Sequence, residues 1–329
     1  MGIASAFRRV PGSLRRIRRM SSSATTATSP PPLASTHARP VWPGLLLATL
    51  GAIAFSGKAI IVKLAYRYGV DAVTLITYRM LFALPLFALL AWWAGRNKPA
   101  LTRRDWITVF GLGFSGYYLA SFLDFAGLAF ISASFERLIL YLNPTLVLAL
   151  GLVLFKRKVT SRQLLALGVS YCGVLLVFGH ELSLLGAHAA LGAALVFASA
   201  VSYAIYLVYS GEEVKRLGAL RLTGLATTVA CVLCIVQFIV LRPLGALVVA
   251  PEVIWLSVLN ATLCTFAPVL MVMMAIERIG ATLAAQTGMI GPLSTILMGV
   301  VILGEPFTLW IAAGTVLVLV GIWLLAKWR

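Results

Sequence analysis

The chain is 329 residues long, 61% hydrophobic and only 11% charged, with a formal net charge of +17. A soluble protein of this length cannot hide so much apolar surface, so lipid must be the solvent for most of it. The positive charge could suggest a nucleic-acid partner, but its confinement to alternate gaps between apolar stretches argues against one.

Residues 1–42 differ from all that follows. They carry Arg8, Arg9, Arg15, Arg16, Arg18, Arg19 and Arg39, no acid, and a Ser/Thr/Ala/Pro-rich run from Ser21 to Pro40. No apolar core follows the arginines, so the segment is not a secretory signal. It is expected to be a disordered basic tail lying on anionic lipid. An organelle transit peptide fits the same composition, and translation from Met20 would shorten the tail without changing its character.

Ten apolar stretches then follow almost without a break, near 43–64, 72–94, 107–130, 131–155, 163–179, 189–209, 222–241, 253–276, 279–303 and 307–326. A helix needs about 20 apolar residues to cross the hydrocarbon core. The runs are long and lack a period of two, so helices rather than a barrel are predicted. The fold class is an all-α membrane protein of ten transmembrane helices. Of the 27 Lys and Arg, 21 lie in the tail, in the gaps after spans 2, 4, 6 and 8, and at the C-terminal end. Only Arg67 and Arg242 fall in the other gaps. By the positive-inside rule, both termini are expected on the cytoplasmic side of the cytoplasmic (inner) membrane.

The second half of the chain echoes the first at an offset of 148 residues: Ala133 falls on Ala281, Pro144 on Pro292, Gly151 on Gly299, Thr160 on Thr308 and Gly173 on Gly321. The repeat unit is five spans, with the first repeat at 43–180 and the second at 181–329. An odd number of crossings turns the second copy upside down, and inverted repeats are a mark of secondary transporters. Pro144 and Pro292 each free a backbone carbonyl in mid-span and are candidate hinges. Pro85 and Pro268 are expected to act similarly in spans 2 and 8. For any one proline, plain helix bending is an equally simple account.

An ionisable group inside a span costs roughly 2.5–3.5 kcal/mol on insertion scales. Spans 1 to 4 hold Lys58, Lys63, Arg79, Asp124, Glu136 and Arg137, and spans 5 to 10 hold none. At 1.5 Å per residue, Lys58, Arg79, Asp124, Glu136 and Arg137 all fall ~10 Å or less below the outer surface. Lys63 is near enough to the end of span 1 to reach out of the membrane. Asp124 and Glu136 can neutralise two of Lys58, Arg79 and Arg137, leaving a positive charge for a substrate carboxylate or other anion. A purely structural ion network and a coupling proton carried by Glu136 or Asp124 are the alternatives. Glu136 and Arg137 lie about 100° apart on a helix and cannot both face one cavity squarely. Tyr78, Tyr117, Tyr118 and Tyr206 lie around this layer. Tyr141, Asn143, Tyr203 and Gln286 lie deeper and are candidate cavity-lining groups. Gly111, Gly113 and Gly116 are expected to permit close helix packing.

Cys231 and Cys234 form a C-x-x-C with no His or acid nearby in sequence, and are read as packing thiols. No metal site and no cofactor are predicted.

Four stretches carry a resemblance: ISASFERLILYLNPTL (131–146), YRMLFALP (78–85), IGATLAAQTGMIGPLSTIL (279–297) and LGEPFT (303–308). With them the chain resembles the drug/metabolite transporter superfamily in its EamA-type ten-helix branch, over about 43 to 327. The resemblance implies two inverted five-helix repeats around a central cavity, and export or exchange of amino acids and other small metabolites. Arg79 and Pro144 match positions typical of the family. Lys156, Arg157 and Lys158 stand where the first repeat usually has Gly-Glu-Arg, so Glu305 has no acidic counterpart.

A secondary transporter of a small polar or amphipathic metabolite is thus expected, amino acid-like and working outward, with the bilayer and a small-molecule substrate as its partners. A homodimer is compatible. A lipid flippase is the alternative on the same fold. A membrane enzyme would need a nucleophile–base pair or metal cluster at membrane depth. His37, His180 and His188 all lie outside the expected spans, and no catalytic motif or nucleotide-binding loop is present.

Overall fold

The computed structural model describes residues 41–155, 160–288 and 290–327, and leaves a few further side chains, that of Gln286 among them, outside its description. Residues 1–40 of the basic tail and the run Lys156, Arg157, Lys158 lie outside the described residues. Eight helices are long and apolar enough to cross a membrane: α1 (Trp42–Tyr66), α2 (Ala72–Gly95), α3 (Arg103–Leu128), α4 (Ala133–Leu154), α5 (Ser161–Ser183), α6 (Ala187–Gly211), α7 (Ala219–Leu241) and α8 (Pro251–Gly280). The shorter apolar helices α9 (Ile290–Leu303) and α10 (Leu309–Leu325) complete the ten. Helical residues 281–288 precede α9, turned off α8 at Gly280, where φ is +79° and only glycine is at ease. We call the face at which α1, α3 and α5 end the far face.

Helix starts follow local chemistry. The Asp71 carboxylate accepts from Val73 N and Thr74 N at the head of α2 (2.9 and 3.2 Å). Partial burial works against its charge, but these bonds and Arg242 prevail and hold its carboxyl below the usual range. Thr160 and Thr308, matched at the 148-residue offset, do matched work. Thr160 Oγ1 accepts from Gln163 N and Thr308 Oγ1 from Ile311 N, each at 3.3 Å.

The packing follows the repeat. α2 lies on α7, α5 on α10 and α4 on α9, each a span against its own counterpart, while α1 lies on α8 as α6 lies on α3. Small residues make the closest approaches. A Cβ on Gly173 would stand 2.7 Å from Gly314 O, and one on Gly321 2.8 Å from Ala166 O. Gly113 and Gly116 are equally confined, by Ala226 O and the Tyr206 ring. Gly111, expected to do the same, has nothing within 4 Å of its would-be Cβ. Counterparts also widen together: α3 winds as a π-helix over Gly113–Leu119 and α8 over Thr262–Phe266, overlapping positions at the repeat offset.

Two further expectations need correction. Spans 5 to 10 are not free of ionisable groups, because α5 runs past residue 179 and carries Glu181, which is buried. The extra turn is tolerated because Ser132 Oγ donates to that carboxylate at 2.5 Å. Lys63 does not reach out to solvent. It donates to the carbonyls of Leu128 and Ile131 (3.2 and 2.9 Å), where the end of α3 exposes acceptors and the negative pole of its dipole. Pro85 stands inside α2, which is helical from Ala72 to Gly95, so its missing N–H leaves a carbonyl unbonded without dividing the helix. Span 4, by contrast, does divide at its proline, into Ala133–Leu140 and Asn143–Phe155.

Candidate functional site

The five charged residues placed at one depth by helix arithmetic converge. Lys58, Arg79, Asp124, Glu136 and Arg137 are all between 0% and 8% exposed, so none of them points into lipid. Lys58 of α1 is the hub. Its ammonium donates to Asp124 Oδ2 of α3 at 2.5 Å and lies 3.8 Å from Glu136 Oε1 of α4. Glu136 Oε2 lies 3.8 Å from Arg137 Nε. Lys58 therefore faces both acids, Glu136 lies equally near Arg137, and Arg79 is the cation left over of the three. Arg79 of α2 has no carboxylate partner among the described residues. It reaches Ser121 Oγ at 3.4 Å and lies over the Phe125 ring, 5.0 Å from its centroid. Its Nε and Nη1, and Arg137 Nε and Nη2, are buried without a hydrogen-bond partner.

These groups border one central cavity of about 360 Å³. Lys58, Arg79, Asp124 and Arg137 line it, together with Tyr141, Asn143 and Tyr203. Glu136 does not line it, as the 100° separation from Arg137 requires. Its carboxylate sits behind the wall, fully buried. The side chain of Gln286 lies outside the described residues. Pro144 and Pro292 do not line the cavity themselves, but Leu140 and Gly288, four residues before each, do. Of the tyrosines expected nearby, Tyr117 lines the cavity and hydrogen-bonds Tyr206 through the hydroxyls at 3.1 Å. Tyr78 instead donates to Leu247 O, away from it.

The cavity lies on the axis that relates the repeats. At the offset of 148 residues its lining falls into counterparts: Phe55 with Tyr203, Arg79 with Thr227, Tyr117 with Thr265, Ser121 with Val269, Leu140 with Gly288 and Asn143 with Gly291. The first repeat supplies the charged or more polar member at Arg79, Ser121 and Asn143, and all the charged lining residues, so the walls are matched in position and unequal in charge. Phe55, beside both the Lys58 ammonium and the Arg137 guanidinium, 5.7 and 5.8 Å from its ring centroid, gives the charged wall an aromatic floor.

Sequence reasoning missed the polar tie above the cavity. Gly304 takes a left-handed turn (φ +72°) and swings Glu305 back over the head of α4. The Glu305 carboxylate accepts from Ala133 N at 2.7 Å, Ser134 N at 3.2 Å and Ser134 Oγ at 2.7 Å. It thus caps a helix of the other repeat, an anion at a dipole's positive end. Gly299 makes the room, for a Cβ there would stand 2.8 Å from Glu305 Oε2. Arg67 adds a second tie between the repeats, donating to Leu303 O at 2.8 Å. The Gly-Glu pair was visible in the sequence, but its partner, a helix start some 170 residues earlier, was not.

Buried cations with open donors, in a cavity whose lining acid, Asp124, is held by Lys58, can bind an anionic group beside aromatic walls that shelter an apolar one. Among the described residues no group of His, Cys, Asp and Glu is placed to hold a metal ion. Cys231 and Cys234 are buried where α7 meets α2, with Cys231 Sγ 3.7 Å from Met80 Sδ.

Comparison with known proteins agrees with this architecture. The model of the EamA-like transporter family matches twice, over residues 42–179 and 190–327. The chain is 29% identical over 267 residues to the uncharacterized transporter YcbK of Bacillus subtilis (strain 168), covering 80% of this chain and 86% of that one. A protein of solved crystal structure superposes with a TM-score of 0.56 at 16% identity, over 87% of this chain and 96% of its own, a likeness of fold alone.

Proposed function

This chain belongs to the EamA-like transporter family, and from a multi-pass membrane transporter with this cavity we propose a secondary transporter of small carboxylate-bearing metabolites, amino acid-like solutes foremost. Arg79 is the anchor for the carboxylate, and Arg137 assists it. The observation that carries this reading is the unmatched guanidinium. Lys58 faces both acids, and Arg79 is left buried with open donors beside a cavity. An uncompensated charge of this kind costs about 3–5 kcal/mol, and a bound carboxylate would offset that cost in a way that an uncharged solute could not. A second reading, a structural ion network, suits the Lys58–Asp124–Glu136 group better than it suits Arg79.

Transport proceeds by alternating access, with the first repeat rocking against the second about Pro144 and Pro292. The far face is the external one, both termini are cytoplasmic, the membrane is the cytoplasmic membrane, and the working direction is export. Ties such as Glu305 to Ala133 and Arg67 to Leu303 join the two repeats and would part when the cavity opens outward.

The test is binding and counterflow by purified protein in liposomes. Labelled leucine is expected to exchange across the bilayer with the wild type. Arg79→Gln should weaken its binding by roughly 30-fold or more, the weight of ~2 kcal/mol for a desolvated charge pair, while the protein stays folded. Loss of protein level with affinity unchanged in what remains would assign Arg79 to structure alone. Movement of headgroup-labelled lipid in place of solute would favour a flippase.

A further inference from the structure

Pro144 and Pro292 hold matched places in the two repeats and have no N–H. The carbonyls four residues earlier, those of Leu140 and Gly288, therefore receive no helical hydrogen bond from them. Both residues line the central cavity. Buried carbonyls are satisfied somewhere in native proteins, and the two residues that carry these border the cavity.

In the first repeat the same wall carries more. Arg137, Leu140 and Asn143 follow one another down α4 at three-residue steps, and all three line the cavity. Arg137 and Leu140 share a face of the first piece of α4, and Asn143 opens the second piece. The Asn143 side-chain oxygen is buried and has no hydrogen-bond partner. Arg137 at the top has open donors, and below it, ~4.5 Å along the axis for Leu140 and ~9 Å for Asn143, the groups are acceptors. A solute with an anionic group and an ammonium on adjacent atoms meets both.

Resting on the carboxylate reading above, we propose that the Leu140 carbonyl and the Asn143 side-chain oxygen form an ammonium pole beside the guanidinium pole, so that the cavity selects zwitterions over plain carboxylates. The Leu140 carbonyl exists as an acceptor because position 144 is proline. Asn143 and Pro144 thus act as one specificity device: the first contributes an oxygen and the second keeps another one open. The second repeat has the carbonyl at Gly288 but glycine at 291 opposite Asn143, so its version of the pole is weaker.

The experiment is equilibrium binding to purified full-length protein of leucine, methionine and phenylalanine, each against the same acid lacking its amino group (4-methylpentanoate, 4-methylthiobutanoate and 3-phenylpropionate). Apolar side chains are chosen because Phe55, Phe87 and Val269 line the rest of the cavity. The wild type is expected to bind at least one amino acid ten or more times tighter than its desamino partner. Pro144→Ala returns an N–H to the Leu140 carbonyl, and Asn143→Leu removes the other oxygen. Each is expected to bring the paired affinities together by weakening the amino acid and sparing the desamino acid. Asn143→Leu leaves the proline in place and so reads the pole apart from any straightening of the span by Pro144→Ala, and binding rather than transport is read because Pro144 is also a candidate hinge. Equal affinity within every pair in the wild type, or a preference that survives both variants, overturns the ammonium pole and leaves the carboxylate anchor standing. Failure of every amino acid and every desamino acid to bind the wild type overturns both.

Discussion

Arg79 and Glu305 are both charged residues at membrane depth or at its edge, and their surroundings separate them. Arg79 has a ring beneath it, one hydroxyl at 3.4 Å and, among the described residues, no carboxylate partner. Its chemistry is unfinished without a further partner. Glu305 accepts three hydrogen bonds from Ala133 and Ser134 and is complete. A residue of the first kind is suited to hold a ligand, and one of the second to hold the protein. Glu305→Ala is expected to strand two N–H groups at the head of α4. Bonds to a charged acceptor contribute about 1.5–3 kcal/mol, so a lower melting temperature of the detergent-solubilised protein is the readout. Gly299→Ala should lower it too by displacing the same carboxylate, and the double variant should fall short of the sum because the two changes remove one interaction. A full sum would show that Gly299 serves something other than Glu305.

Between elements, the small residues set how near the helices come. Gly173 of α5 and Gly321 of α10 are counterparts, and each lets a backbone of the other repeat approach within the reach of a Cβ. Without a hydrophobic driving force between helices in lipid, such contacts are a principal source of association. Gly321→Ala is expected to destabilise by roughly 1–3 kcal/mol as an overpacked contact. Solute affinity should be unchanged, since neither glycine lines the cavity. A loss of affinity without loss of stability would place α5 and α10 in the binding machinery. The matched π-helical stretches of α3 and α8 differ in kind, because Gly116, Tyr117 and Thr265 on them do line the cavity. Wide turns there re-aim side chains that a regular helix would place elsewhere.

At the scale of the whole molecule, two copies of one plan enclose a cavity that is matched in shape and unequal in charge. In the cavity lining the counterpart of Arg79 is Thr227, and that of Asn143 is Gly291. One half can therefore hold a solute's charged end while the other passes along its apolar part. The orientation of the molecule rests on the distribution of Lys and Arg, and it is open to direct measurement. In a cysteine-free background in intact cells, a membrane-impermeant maleimide is expected to label a cysteine placed at Arg67 or Arg242 and not one placed at Arg162 or Arg216. The opposite labelling would reverse the direction assigned to transport.

Composition and the spacing of apolar runs were sufficient to establish the solvent, the helical class, the ten crossings and the two repeats, because each of these depends on local hydropathy and on distance along the chain. The common depth of Lys58, Arg79, Asp124, Glu136 and Arg137 was legible for the same reason, since a helix converts residue number into height. Which of them pair, which one is left over, and that α5 carries Glu181 to Ser132 while Glu305 caps α4 were decided only in the folded molecule. Partners of that kind lie on different helices, and their distances depend on lateral packing and rotation, which small residues and ring contacts set and no single helix encodes.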